Sequence, residues 1–75
     1  MVFADQPEEP PYLRLAVSLR TRIASGKLRR GDLVPSITVL CREHGMSRPT
    51  ADKTMRLLER EGLVILVPGR GYYVR

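Results

Sequence analysis

Residues 36–62 read SITVLCREHGMSRPTADKTMRLLEREG, and this stretch decides the fold. It predicts two helices, at 36–44 and 48–61, joined by a tight turn at Gly45. A serine precedes each helix, and its hydroxyl can accept a hydrogen bond from the free N–H groups of the first turn. Glycine ends a helix readily because it adopts the left-handed conformation without steric cost. The tight link fixes the second helix across the first and leaves its N-terminal turn projecting outward.

The sequence on either side adds one helix before this stretch and a hairpin after it. Apolar residues recur at helical spacing behind Pro11, which suits a first helical turn, so an amphipathic helix is predicted over 11–25. The β-branched run at 63–67, the glycine-rich turn at 68–71 and the strand at 72–74 predict an antiparallel hairpin. The fold class is therefore mainly α with a small antiparallel β-hairpin, a winged helix-turn-helix of three helices plus a wing.

Length and charge set the predicted domain organisation. The chain has 75 residues, enough for one domain, with 13 Lys and Arg against 8 Asp and Glu. Three of the acidic residues fall within residues 1–10, which are predicted to form a flexible acidic tail. All 13 basic residues fall within the predicted domain at 11–75. A compact domain of this charge most often meets a polyanion, and nucleic acid is the commonest one.

Other classes of protein do not fit this sequence. Cys41 and His44 are the only cysteine and histidine, too few for an internal disulfide or a metal cluster. The sequence offers no paired-carboxylate cleft, nucleophile–base set or phosphate-cradling loop, so neither an enzyme nor a cofactor is predicted. No apolar run approaches the roughly 18 residues that span a membrane, and the N-terminus does not resemble a signal peptide. A cytoplasmic protein is therefore predicted.

An ordered series of residues runs through the predicted domain. It comprises Tyr12, Leu19-Arg20, Ile23-Ala24-Ser25-Gly26-Lys27-Leu28, Gly31-Asp32, Val34-Pro35-Ser36, Leu40, Gly45, Ser47-Arg48, Thr50, Leu58, Glu61-Gly62-Leu63-Val64, Gly69-Arg70-Gly71 and Tyr73-Val74. In order and spacing, without gaps, this series resembles the GntR-type bacterial transcription regulators over nearly all of 11–75.

The resemblance implies a transcription regulator, of the repressor type, that binds double-stranded DNA sequence-specifically. It implies a recognition helix at about 47–61 in the major groove and a wing at 68–71 against the minor groove. The operator is expected to be an inverted repeat bound by a homodimer, although self-association of this chain alone is expected to be weak. Members of the family normally carry a larger C-terminal domain that binds a small metabolite, so no small-molecule effector site is expected within this chain, whether it is an excised domain or a complete small protein. The expected location is the cytoplasm, in association with the nucleoid.

The residues expected to contact DNA lie at the helix starts of the turn and in the wing. They are Ser36, Thr38, Ser47, Arg48, Pro49, Thr50, Asp52, Lys53, Gly69, Arg70 and Gly71. Ser47 and Thr50 lie at a helix N-terminus, which favours a phosphate. Arg48 has a planar fork that can grip a guanine edge or a phosphate, and Arg70 is long enough to enter a narrow minor groove.

Three of these positions depart from the family's pattern. Thr38 and Asp52 stand where the family usually has arginine, and Pro49 stands where it commonly has Thr or Ser. The changes predict altered base preference, weaker binding or lost binding, because an aspartate repels phosphate but accepts from a cytosine amino group. Alternatively, Asp52 is a solvated helix-face charge that pairs with Arg48 or Arg56 four residues away.

A second hypothesis follows from the apolar run at 63–67, where the family has polar or basic residues in the second half of the strand. Strict alternation would leave either its odd-numbered or its even-numbered residues outside the core. An exposed apolar strip of this kind marks a protein contact more often than chance. The alternative function is therefore a winged-helix protein-interaction module with weakened or lost DNA binding.

Overall fold

The computed structural model describes residues 9–75, where three helices precede a two-stranded hairpin. The elements are α1 (Pro11–Ala24), α2 (Ile37–His44), α3 (Arg48–Arg60), β1 (Val64–Val67) and β2 (Gly71–Val74). They confirm the predicted class of three helices plus a wing, and each boundary lies within about one residue of its prediction. Most of the predicted tail at 1–10 lies outside the described residues.

Two serine caps and one glycine build the helical turn between α2 and α3. The hydroxyl of Ser36 accepts from the amide of Val39 at 3.2 Å, and that of Ser47 accepts from the amide of Thr50 at 3.4 Å. Gly45 ends α2 in the left-handed region, with φ at +63°. Because both helix starts and the intervening stop are fixed locally, the predicted turn is confirmed.

One face of α3 forms the centre of the core. Ala51, Thr54, Met55 and Leu58, the predicted inward stripe, are all buried. They pack with apolar residues from α1, the segment before α2, α2 and the hairpin: Leu15, Ala16, Leu19, Val34, Leu40, Val64 and Val74. The single buried polar side chain, within the described residues, is Thr54, whose hydroxyl donates to the carbonyl of Tyr12 at 2.8 Å. This stripe anchors α3, so its opposite face is free to project outward.

The hairpin is fixed to the segment between α1 and α2. Within it, β1 pairs antiparallel with β2, with Val64 opposite Val74. On the other side of β2, the amide of Gly31 donates to the carbonyl of Val74 at 2.8 Å, and the amide of Val74 donates to the carbonyl of Asp32 at 2.9 Å. Leu33, in the same segment, forms a single β-bridge to Tyr73. These bonds hold the wing at a defined position beside the helices.

The predicted alternation along β1 is wrong. Val64 is buried, but its two successors, Ile65 and Leu66, are both exposed, at 44% and 45%. Leu66 shares the inward face with Val64 and pairs with Tyr72, yet it extends past the helical core into open space beside the wing. Ile65 lies on the outer face, opposite Tyr73. A strand that extends beyond the helical core exposes residues on both of its faces.

No helix of the described residues is both long enough and apolar enough to cross a membrane. Within residues 9–75 there is also no group of three or more His, Cys, Asp or Glu side chains placed to hold a metal ion.

Candidate nucleic-acid interface

A cleft of about 290 Å³ lies between the hairpin and the N-terminal ends of α2 and α3. We call it the wing cleft. Its lining residues are Leu33, Val34, Pro35, Ser36, Ile37, Thr38, Arg48, Leu66, Arg70, Gly71 and Tyr72. Five of the residues expected to contact DNA meet here, namely Ser36, Thr38, Arg48, Arg70 and Gly71. The two arginines come from different elements, so positive charge from α3 and from the wing faces one opening.

A hydrogen bond between α2 and α3 orients one of these arginines. Arg48 is the first residue of α3, and its Nη1 donates to the Oγ1 of Thr38 at 2.8 Å. Thr38 lies in the first turn of α2, ten residues earlier, and both side chains are exposed. An arginine has five N–H donors in a fixed fork, so this contact leaves most of the guanidinium available to a ligand. Thr38 thus acts as an acceptor for a neighbouring arginine where the family commonly has an arginine of its own.

Asp52 is paired along its own helix. Its Oδ2 lies 2.9 Å from the Nε of Arg56, four residues on, which confirms one of the two partners left open by the sequence. Arg56 keeps 70% of its side chain exposed and Asp52 41%, so the pair lies on the solvent face of α3. The second open partner, Arg48, contacts Thr38 instead.

Lys53 contacts α1 instead of lining the cleft. Its Nζ lies 4.1 Å from the centroid of the Tyr12 ring, within the range of a cation–π interaction. The same tyrosine accepts the hydroxyl of Thr54 through its carbonyl. Two adjacent residues of α3 therefore grip the first turn of α1, and the exposed ammonium of Lys53 is held at one place on the surface.

Four further predicted contact residues do not line the cleft: Ser47, Pro49, Thr50 and Gly69. Ser47 and Thr50 bring their hydroxyls within 2.9 Å of each other at the start of α3, and Pro49 lies exposed between them. In the wing, Gly69 is an exposed turn residue. Gly71 lines the cleft with φ at +124°, and a Cβ built there would lie 3.5 Å from the Cδ1 of Leu33. The backbone conformation, more than crowding, requires glycine at this position.

The cleft also contains apolar residues that the sequence did not assign to the site. Leu33, Ile37, Leu66 and Tyr72 line it. The unbroken apolar run of the first wing strand was the available signal for Leu66, although it suggested a protein contact. Burial raises the pKa of the Tyr72 phenol, and the negative charges of Asp52 and Glu59 raise it further. Tyr72 keeps its hydroxyl as a hydrogen-bond donor in the wall of the cleft.

These elements define a winged helix-turn-helix domain. The model of the family described as "Bacterial regulatory proteins, gntR family" matches residues 11–74, and the chain belongs to this family. The membership confirms the resemblance noted from the sequence.

The curated relatives that the chain resembles include two named repressors. The mannosyl-D-glycerate transport/metabolism system repressor MngR of Escherichia coli is 34% identical over 67 residues, which cover 89% of this chain and 28% of MngR. The histidine utilization repressor of Klebsiella aerogenes is 34% identical over 97% of this chain and 32% of its own length. The chain thus spans about a third or less of these relatives.

The structure of AraR(DBD) in complex with operator ORX1 superposes with a TM-score of 0.89. It covers all of this chain and 90% of the AraR chain, at 25% identity. The fold seen here is therefore that of a DNA-binding domain whose solved form sits on an operator.

Proposed function

We propose that this domain binds double-stranded DNA sequence-specifically and regulates transcription as a repressor. In the proposed complex the N-terminal turn of α3 enters the major groove, and the wing turn around Gly69 and Arg70 lies against the minor groove. Arg48 reads a base edge, while Ser47, Thr50, Lys53 and Arg70 contact phosphates or sugar.

The observation that carries this proposal is the convergence of Arg48 and Arg70 on one cleft. Two arginines from different elements line the same opening, and no carboxylate of residues 9–75 lines it. The only acidic residue among the expected contacts, Asp52, is paired with Arg56 and so repels an approaching phosphate less than a free carboxylate. The similarity to an operator-bound domain supports the same assignment.

Further properties of the regulator are part of this proposal. Residues 11–75 form the DNA-binding unit, and residues 1–10 form a tail. Two copies bind an inverted repeat as a homodimer. The protein is located in the cytoplasm, at the nucleoid. The chain carries out no enzymatic step, and effector binding falls outside it. The protein-interaction module is not favoured, because repressors and operator complexes are among the relatives.

Selection of bound sequences from a random duplex pool, at low salt, tests the proposal. We expect enrichment of one half-site, and a spacing between half-sites if two copies bind together. Arg48→Ala is expected to lose this enrichment while its circular dichroism spectrum and melting temperature stay those of the parent. Arg29→Ala is the matched control, because Arg29 is exposed and lies outside the wing cleft. A parent chain that enriches no sequence contradicts the proposal.

A further inference from the structure

We propose that Thr38 is a positioning residue for Arg48, and that its hydroxyl sets the base selectivity of the recognition helix. The inference rests on the proposed DNA binding and deepens it. It assigns the departure at Thr38 a role of its own: the position supplies no DNA-binding charge but directs the charge of another residue.

The first step is the geometry of the contact. Thr38 and Arg48 lie at the starts of two different helices, and the 2.8 Å bond from Nη1 to Oγ1 spans the gap between them. Both helix starts are fixed by serine caps, so the acceptor is held at a constant place relative to α3. A long, exposed arginine otherwise samples many rotamers, and a contact that restricts them lowers the entropic cost of binding.

The second step is the competition for Arg48. Side chains four residues apart on a helix are neighbours, so Asp52 is within reach of Arg48 as well as Arg56, although the order of acid before base favours Arg56. In the structure Asp52 pairs with Arg56, at 2.9 Å, while Arg48 is held by a neutral hydroxyl. A neutral acceptor orients the guanidinium without cancelling its charge. Thr38 therefore keeps Arg48 available to DNA beside a carboxylate that would otherwise compete for it.

The third step identifies the base. A guanidinium held at one Nη still offers donors along its other edge, and guanine presents two acceptors, N7 and O6, in the major groove. Adenine presents an acceptor and an amino donor there, which opposes one of the arginine donors. A fixed Arg48 consequently discriminates guanine from adenine at one position of each half-site, whereas a mobile one also settles on phosphates.

The test compares Thr38→Val with Thr38→Ser in the complete chain. The probes are the duplex enriched by the parent and the same duplex with the guanine sensed by Arg48 changed to adenine, at one fixed salt concentration. That guanine is identified as the position at which replacement of guanine by adenine no longer changes the DNA affinity of Arg48→Ala. We expect Thr38→Val to lose about three- to ten-fold of the guanine-over-adenine ratio, the range of one net intramolecular hydrogen bond. Thr38→Ser keeps the hydroxyl and is expected to retain the parent ratio.

Two further variants separate positioning from a structural effect. Thr21→Val removes an exposed helix threonine outside the wing cleft and is expected to leave the ratio unchanged. Adding Asp52→Asn to Thr38→Val removes the competing carboxylate and is expected to recover part of the lost ratio. Thr38→Val and Thr38→Ser are expected to melt at the parent temperature, because Thr38 is exposed, and Asp52→Asn is expected to melt only slightly lower, because it removes an exposed ion pair.

The outcomes distinguish the inference from the proposed function. A parent chain that binds no duplex overturns the proposed function, and the role of Thr38 falls with it. A parent that binds, with an unchanged ratio in Thr38→Val or an equal loss in Thr38→Ser, overturns only the inference. Failure of Asp52→Asn to recover the ratio overturns the competition between Asp52 and Thr38 for Arg48.

Discussion

Arg20 of α1 and Glu61, the C-cap of α3, form a two-pronged ion pair across 41 residues of sequence. The Nη2 of Arg20 lies 2.6 Å from Oε2 of Glu61, and its Nε donates to Oε1 at 2.9 Å. The hydrogen bond from Arg20 holds the pKa of the Glu61 carboxyl below its ordinary value. The pair closes α1 against the far end of α3, so it helps to hold the helix whose start projects toward the cleft.

Replacing Glu61 by Gln is expected to make the free energy of unfolding less sensitive to pH in the acid range. Because the pKa of Glu61 is lower in the folded chain, its contribution is present above the unfolded pKa and is lost as pH falls through the folded pKa. The parent should therefore exceed Glu61→Gln in free energy of unfolding near pH 7, with a gap that closes below about pH 4. The pair is over a third exposed, so the gap is small.

Urea unfolding at several pH values measures that gap. Glu59→Gln is the matched control, since Glu59 is exposed on the same helix and forms no ion pair among residues 9–75. A gap that stays constant from neutral to acid pH would contradict the assignment to Glu61.

Thr54→Val is expected to destabilise the fold by about 1 kcal/mol. The substitution keeps the shape of the buried side chain but removes the hydroxyl that donates to the carbonyl of Tyr12. Thermal and urea unfolding measure the loss, with the exposed Thr21→Val expected to change stability by less than about 0.5 kcal/mol. Equal stability of the parent and Thr54→Val would mean that the hydrogen bond from Thr54 to the carbonyl of Tyr12 contributes nothing to stability.

Gly45→Ala is expected to cost about 1 kcal/mol through backbone strain alone. Gly45 has φ at +63°, and a Cβ there meets no atom within 4 Å, so crowding adds nothing. Gly45→Asn is expected to lose less, because asparagine tolerates the left-handed region better than alanine. Urea unfolding compares the two, and an alanine variant as stable as the asparagine variant would refute the strain argument.

Arg70→Ala is expected to weaken DNA binding about equally for all sequences. On the proposed function Arg70 contributes charge to the backbone or the minor groove, so its loss should lower the slope of log affinity against log salt by about 1. Fluorescence anisotropy at a series of salt concentrations gives the slope, with Arg29→Ala as the control. An unchanged slope in Arg70→Ala would place Arg70 away from the DNA.

The helices were predictable because their signals are local. Serine caps, the stop at Gly45 and the apolar stripe of α3 each depend on residues a few positions apart, and all are seen in the structure. The exposure of both Ile65 and Leu66 was not predictable, because it depends on how far β1 extends past helices distant in sequence. The local sequence pattern predicts on which face of a strand a residue lies, but it does not predict where the core that covers this face ends.

In the candidate site, too, individual residues were predictable from the sequence, whereas contacts between separate elements were not. Sequence named both Arg48 and Thr38, yet the bond between them joins two helices and could not be seen in the spacing. For Asp52, helical spacing offered two arginine partners, and the structure has the one for which the acid precedes the base along the helix, Arg56. Leu33, Ile37 and Tyr72 entered the cleft only once the hairpin was placed beside α2.

The bonds between β2 and the segment at 31–34 have a consequence for synthesis of the protein. Gly31 and Asp32 bond with Val74, and Leu33 pairs with Tyr73, so one wall of the wing cleft joins segments some 40 residues apart. A nascent chain emerging from the ribosome can form its three helices before that wall exists. It acquires a complete cleft only after β2 has emerged and docked. Loss of β2 would therefore remove one wall of the proposed binding surface together with Val74 of the core.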